Sequence, residues 1–335
     1  SSLDDEGEWM ALSIPHQADG QEEERAYEKF IDIPAEWTNK KIFLRFDGVN
    51  CLGRVFLDGK FIKEHYGGFV SWDCEITEYV QSGGRHRLII GVKDKPKDVS
   101  PFHQGGIIRD VSLYALPEAS LSRLHAETTF DEDYKNAILK LETRVDGGDG
   151  EVKIFLISPW GQETELESIE THDGKEVTGE FLIEEPFKWD SEHPWLYTLK
   201  AVLVKDSMEI ESVERKIGFR QIEKRGNQIF VNGQVLKLRG INRHDTHPLM
   251  GRSITHEVVE EDVKLFKEAN INFIRTSHYP PRPDFLELCD QYGIYVEDEI
   301  AVGFLGYSAN LTQDDPAFTD CFMGQFTEYI ERDKS

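Results

Sequence analysis

Apolar and polar residues alternate in short runs over the first two thirds of the chain, and the rhythm then changes. From about residue 25 to 117 the runs KIFLRFDGV, RVFLDGKFI, HRLIIGV and RDVSLYAL are broken by turn residues, the pattern of half-buried strands. Asp58-Gly59, between RVFL and KFI, is a two-residue hairpin signal, because a type I′ turn needs positive φ, which Asp and Gly tolerate. One β-sandwich over 1–117 accounts for this stretch. A second series, AILKLETRV, GEVKIFLI, EVTGEFLI and LYTLKAVLV, is separated by DGGDG, SPWGQE and a proline-bearing connector. It predicts an immunoglobulin-like sandwich over 118–219, of the kind without a disulfide.

After about residue 220 strand and helix patterns alternate. VLKLRGIN predicts a strand. Thr255 is the N-cap of a following helix with Glu257 in its first turn, and Val259, Val263 and Phe266 give it an apolar face. INFIRTSHYP is the next strand, and RPDFLELCDQYG is a helix stopped by Gly293, the residue type that best takes the left-handed conformation after a last turn. GIYVEDEIAV and FTDCFMGQFTEYIERDKS repeat the pair. Three βα units over 220–335 predict the first part of a parallel (β/α)₈ barrel.

A length of 335 residues fits two or three domains. With 63 acidic against 38 basic residues the net charge is −25, a field that repels phosphate backbones and anionic lipid. Nucleic acid and membrane are thus excluded as expected partners. No apolar run approaches the roughly 18 residues of a membrane span, and no signal peptide is evident, so a soluble protein is expected. The chain opens SSLDDEGEWM without an initiator methionine. The compartment therefore stays open: the cytoplasm is favoured, with a secreted or periplasmic location possible because the native N-terminus is not seen. Cys51, Cys74, Cys289 and Cys321 are scattered and lack CxxC spacing, which points to neither a disulfide framework nor a zinc site.

The chemistry-bearing residues gather where the barrel strands end: Asn242, His244, Asp245 and His247 in GINRHDTHPLMGR, Arg275, His278 and Tyr279 in RTSHYP, and Glu297, Asp298 and Glu299. Barrel enzymes keep their sites at those ends. A pyranose presents a ring of hydroxyls, each donor and acceptor, and its pocket needs Asn, His, Asp and Arg converging on one face. Within a strand, Arg275 would be a costly buried cation unless used. His244 has a second reading as a wall or backbone-bonding histidine, and Asn50 as a strand terminator through an Asx turn. Trp72 reads as core rather than as a sugar platform.

FDGVN (46–50), GGIIRDVSL (105–113), GINRHDTHP (240–248), RTSHYP (275–280) and YGIYVEDE (292–299) stand in the order and spacing of glycoside hydrolase family 2, and the histidine segment resembles most the β-galactosidases of that family. The resemblance spans essentially the whole chain. It implies a jelly-roll sandwich, an immunoglobulin-like sandwich and a TIM barrel. It further implies that Asn50, His247 and His278 bind the sugar, with Arg275 orienting the nucleophilic carboxylate and His244, Tyr279, Asp298 and Glu299 in support.

Retaining hydrolysis needs two carboxyl groups about 5 to 5.5 Å apart. The resemblance places that acid/base and nucleophile pair at the ends of the fourth and seventh barrel strands, beyond residue 335, so the chain is expected to be the N-terminal portion of a longer, truncated enzyme and inactive alone. Asp298 and Glu299 are neighbours on a strand, point to opposite faces and cannot flank one bond. The expected substrate is a terminal β-D-galactoside. The alternatives are a β-glucuronidase of the same family and a non-catalytic carbohydrate-binding module. No cofactor is certain; magnesium and sodium are implied for the full-length enzyme, although Ser100, or Asp98 after a loop shift, stands where the family's β-galactosidases carry a pocket aspartate. A homo-oligomer stays open.

Overall fold

The computed structural model describes residues 9–18, 24–94, 105–301 and 315–334. Asp98 and Ser100 lie outside the described residues. The first domain is a sandwich. One layer is a four-stranded antiparallel sheet in the order Glu24–Asp32, Arg85–Lys93, Leu52–Leu57, Lys60–Tyr66, and the other orders Val111–Leu116, Lys41–Phe46, Trp72–Glu75. Ile42, Leu44 and Phe46 alternate inward to meet Val55, Leu57 and Ile90. The expected hairpin forms, with Leu57 opposite Lys60 and φ of 49° and 80° at Asp58 and Gly59. Trp72 is core, stacked between Phe46 and His65 at centroid distances of 4.3 and 4.5 Å.

The second domain is also a two-sheet sandwich. Ser120–Phe130, Ala137–Asp146 and Glu176–Ile183 face a five-stranded sheet built around Gly150–Ile157 and Tyr197–Lys205. Leu139, Leu141, Val152, Ile154, Leu199 and Leu203 fill the space between.

A small antiparallel sheet of Ile222–Arg225, Gln228–Val231 and Gln234–Val235 then leads into the barrel. Its second turn is Asn232-Gly233, with φ of 50° and 78°. This corrects the expected strand VLKLRGIN: Val235 belongs to the small sheet, paired with Phe230, and the first barrel strand begins at Gly240. The Asn-Gly dipeptide was the available signal.

The barrel portion has strands β1 (Gly240–Arg243), β2 (Phe273–Thr276) and β3 (Tyr295–Glu297), all parallel, with Asn242 beside Arg275 and Arg275 beside Glu297. Helices α1 (His256–Glu268), α2 (Pro283–Tyr292) and α3 (Thr319–Asp333) follow them in turn. Thr255 holds the extended cap position, and Val259 and Val263 bury against Phe285 and Leu288 of α2. The α2 helix stops at Gly293, which is left-handed at φ 71°.

Gly293 also sits at the seam with the second domain. A Cβ there would come within 2.7 Å of the Ser191 carbonyl, and Trp189 Nε1 donates to the Asp290 carbonyl at 2.7 Å nearby. Gly293→Ala is therefore expected to destabilise by about 1–3 kcal/mol, from the left-handed φ and the backbone contact together. Denaturant unfolding checks this; a loss below about 0.5 kcal/mol would mean that the seam relaxes freely.

Candidate functional site

Parallel strands launch their following loops from one end of the sheet, which brings the three polar clusters together. The register sets Arg275 of β2 next to the β3 end, where its Nη2 meets Glu299 Oε2 at 2.7 Å. His278 Nδ1 lies 3.1 Å from Glu299 Oε1 and 3.3 Å from Arg275 Nη2. His244, just past β1, sets its ring edge-on to His278 at 5.5 Å and near Tyr279 at 5.8 Å. Burial, then the neighbouring His278 and Arg252, hold the His244 pKa below its ordinary value, which favours the neutral ring. Arg275 is not the buried cation that its strand position suggested. Its side chain is 34% exposed, and Glu299 supplies the counter-charge.

Asp298 and Glu299 diverge. Thr276 Oγ1 donates to Asp298 Oδ1 and accepts the Glu299 N–H, both at 2.9 Å, so one hydroxyl aims the two carboxylates apart. Glu299 faces the histidines, whereas Asp298 turns toward α3, where Tyr329 donates to its carbonyl at 3.0 Å. Burial and then Asp333 push the Asp298 carboxyl up to about 7.

The remaining two sequence candidates sit differently. His247 closes a tight turn by exchanging backbone hydrogen bonds with Gly251 at 2.7 and 2.9 Å, and its Nδ1 accepts the Leu249 N–H at 3.2 Å. Gln17 Oε1 of the first domain accepts the Arg252 N–H at 2.6 Å and braces that turn. Asn50 is fully buried in a short strand paired with Gly106, against Gly68, where any Cβ would fall 2.2 Å from its Oδ1. The next residue, Phe69, stacks on Tyr279 at 4.2 Å. Asn50 thus stands behind the first-domain loop that closes on the barrel. Tyr279 is itself buried beneath the histidines.

Sequence reasoning passed over Arg109, although it lies in GGIIRDVSL. It is 2% exposed and donates to the Phe69 and Pro280 carbonyls, each at 2.6 Å, and to Asp245 Oδ2 at 3.1 Å. Burial pushes its guanidinium down to about 10, against the pull of Asp245. Asp245 is 4% exposed, also pairs with Arg243 and accepts the Arg282 N–H at 2.9 Å. Burial opposes its charge, but Arg243 and Arg109 outweigh it and keep the carboxylate ionised. Among the described residues no three His, Cys, Asp or Glu side chains converge to hold a metal ion, and no helix is long and apolar enough to cross a membrane.

Two sandwiches followed by parallel βα units, with polar residues at the strand ends, define the architecture of a multidomain barrel protein. Family models for glycosyl hydrolases family 2 match all three parts: the sugar binding domain over 11–117, the family's central domain over 119–220 and its TIM barrel domain over 222–335. The chain belongs to glycosyl hydrolases family 2. It is 31% identical over 341 residues to a β-galactosidase of Clostridium acetobutylicum, covering 97% of this chain and 38% of that protein. It is 30% identical to a β-galactosidase of Halalkalibacterium halodurans, covering 92% and 32%. Among solved structures, a Bacteroides uniformis β-glucuronidase matches with a TM-score of 0.84 at 25% identity, over 97% of this chain and 42% of that one. A Ruminococcus gnavus β-glucuronidase in complex with uronic deoxynojirimycin matches at 0.83 and 26%, over 93% and 55%. The chain spans about a third of the length of these curated relatives.

Two consequences are testable. Arg109→Met leaves Asp245 with one fewer counter-charge and strips two carbonyls of their donor, so a loss of about 3–5 kcal/mol is expected in denaturant unfolding; recovery of part of it by adding Asp245→Asn would identify the pair as the cause. For Asp298, the folded pKa of about 7 lies above the unfolded value of about 4, so the protonated group stabilises the fold. That contribution is complete below pH about 4 and is lost as pH rises through about 7. Asp298→Asn should therefore be more stable than the parent at pH 8 and should flatten the fall in stability between about pH 4 and 7; the same dependence of stability on pH in the two proteins would show that Asp298 does not titrate there.

Proposed function

We propose that this chain is the N-terminal, sugar-recognising portion of a retaining β-glycosidase that acts on terminal β-D-galactosides. The observation that carries the reading is the Arg275–Glu299–His278 cluster at the barrel-strand ends, with His244 alongside it. Glu299, paired with Arg275, serves as a fixed acceptor that orients His278. In this reading the His278 imidazole, oriented by Glu299, meets a sugar hydroxyl, and neutral His244 can donate or accept according to tautomer. His247 and Asn50 complete the pocket in this reading, His247 from the braced turn and Asn50 behind the first-domain loop. A site built to bond a particular hydroxyl rejects its epimer, because its polar groups are then left unpaired.

Asp298 and Glu299 occupy separate environments on either side of Thr276 and do not form the matched carboxyl pair of retaining hydrolysis. The acid/base and nucleophile glutamates therefore belong, in this proposal, to barrel strands beyond residue 335. Magnesium and sodium stay part of the proposal for the full-length enzyme only, and no step here depends on them. The second reading is a β-glucuronidase, favoured by the likeness to the two solved glucuronidases.

The deciding comparison is turnover of 4-nitrophenyl β-D-galactoside and β-D-glucuronide, together with calorimetric binding of galactose and glucuronate. The 335-residue chain should bind galactose weakly and hydrolyse neither substrate, and His278→Ala should weaken binding about tenfold or more. Preference for glucuronate would select the second reading. Turnover by the chain itself that is lost in Glu299→Gln would overturn the placement of the catalytic carboxylates, and binding that survives both His247→Ala and His278→Ala would favour a non-catalytic glycan-binding module.

A further inference from the structure

A cavity of about 420 Å³ opens at the seam between the second domain and the barrel, away from the strand-end cluster. Its walls include Thr128, Arg215 and Ile217 of the sandwich, Trp189 and Arg220 of the connecting segments, and Asp290 from α2. Its charges do not balance locally. Arg220 lies over the Trp189 ring at 5.3 Å and attracts Asp290, whose carboxyl burial pushes up and Arg220 draws back. Glu127, at the rim, is turned to His125 at 3.6 Å and Lys140 at 3.9 Å. Lys216 donates to Thr198 Oγ1 at 2.6 Å. That leaves Arg215. Its Nη1 donates to the Leu124 carbonyl, no carboxylate among the described residues pairs with it, and burial alone acts on its guanidinium, lowering its pKa.

A partly desolvated guanidinium without a counter-ion is costly, and a chain with 63 acidic residues against 38 basic ones had ample means to supply one. An arginine left open in a cavity of ligand size is a receptor for an anion. We propose that the seam cavity binds a small oxyanion, a carboxylate or a phosphate, which Arg215 receives through the N–H groups that the Leu124 carbonyl does not take. The apolar surfaces of Ile217 and Leu196 line the same space and leave room for a short organic portion behind the anionic head. Because Asp290 and Trp189 bring the barrel and the connector to the same cavity, an occupant here ties the second domain to the barrel.

The test uses the 335-residue chain with inorganic phosphate and with acetate as probes, read by thermal unfolding and by calorimetry. Sodium chloride at matched ionic strength is the control. A saturable rise in melting temperature with phosphate, acetate or both, absent with chloride, is expected, and the anion that produces it names the ligand class. Arg215→Gln should weaken binding about tenfold or more, and Arg215→Lys should retain part of it. Ile222→Trp keeps the guanidinium but fills the cavity, and it should also abolish the rise, which keeps the proposal open to failure should the Arg215 variants unfold. A rise that follows ionic strength alone, one that persists undiminished in Arg215→Gln or Ile222→Trp, or no rise with either anion would overturn the proposal. None of these outcomes depends on glycosidase activity.

Discussion

A guanidinium shut away from water must be surrounded by acceptors, and Arg109 recruits its acceptors from two domains at once. The Phe69 carbonyl belongs to the first sandwich, while the Pro280 carbonyl and Asp245 belong to the barrel. No arrangement of either domain alone would satisfy it. Domain packing and the local backbone at the barrel mouth thereby become one problem. Moving the sandwich a few ångströms would strand a buried cation and, beside it, a carboxylate that Arg243 could only half balance.

The pocket inherits its shape from that constraint. Asp245 sits next to His244 in sequence, and Pro280 follows His278 and Tyr279, so the two segments that present the imidazoles are both pinned to Arg109. Phe69, whose carbonyl completes the arginine's shell, lays its ring on Tyr279 at 4.2 Å. Arg282 extends the network outward, pairing with Asp110 of the first domain at 2.9 Å and with Asp284 of α2 at 3.0 Å. A polar site works only when its groups are held before the ligand arrives. Here the holding is done by ion pairs and stacked rings lying beneath the strand-end histidines.

How far the sequence reveals this follows from the kind of interaction involved. The inner strands of both sandwiches were legible, because their burial is set by a two-residue alternation that each segment carries within itself, whereas Glu24–Asp32 and Met208–Ile217, largely exposed along their length, and Ser120–Phe130 went unnamed. Gly293 and Thr255 were legible for the same reason, since helix ends are local events. The Val235 hairpin was missed although Asn232-Gly233 announced it, because the apolar run around it reads equally well as a barrel strand. Arg109 was invisible in a different way. Its partners lie 40, 136 and 171 positions along the chain, and nothing in the local pattern separates a surface arginine from one that closes an interface. Arg275 erred in the opposite direction, since its counter-charge came from the neighbouring strand.

The contrast between Asp298 and Glu299 explains why proximity in sequence says so little about shared chemistry. They are consecutive, and a single threonine hydroxyl touches both. Yet Glu299 meets the Arg275 guanidinium at 2.7 Å, while Asp298 faces burial and a second carboxyl, which oppose its charge. Both lie just past β3, which ends at Glu297, so it is the Thr276 hydroxyl that sends them to surroundings of different charge and burial. A double-displacement mechanism asks the reverse: two carboxyls on one face, separated by the width of a glycosidic bond. Residues adjacent in sequence at one strand end are therefore poor candidates for such a pair, and residues at the ends of different strands, converging on a common axis, are the ones a barrel can offer.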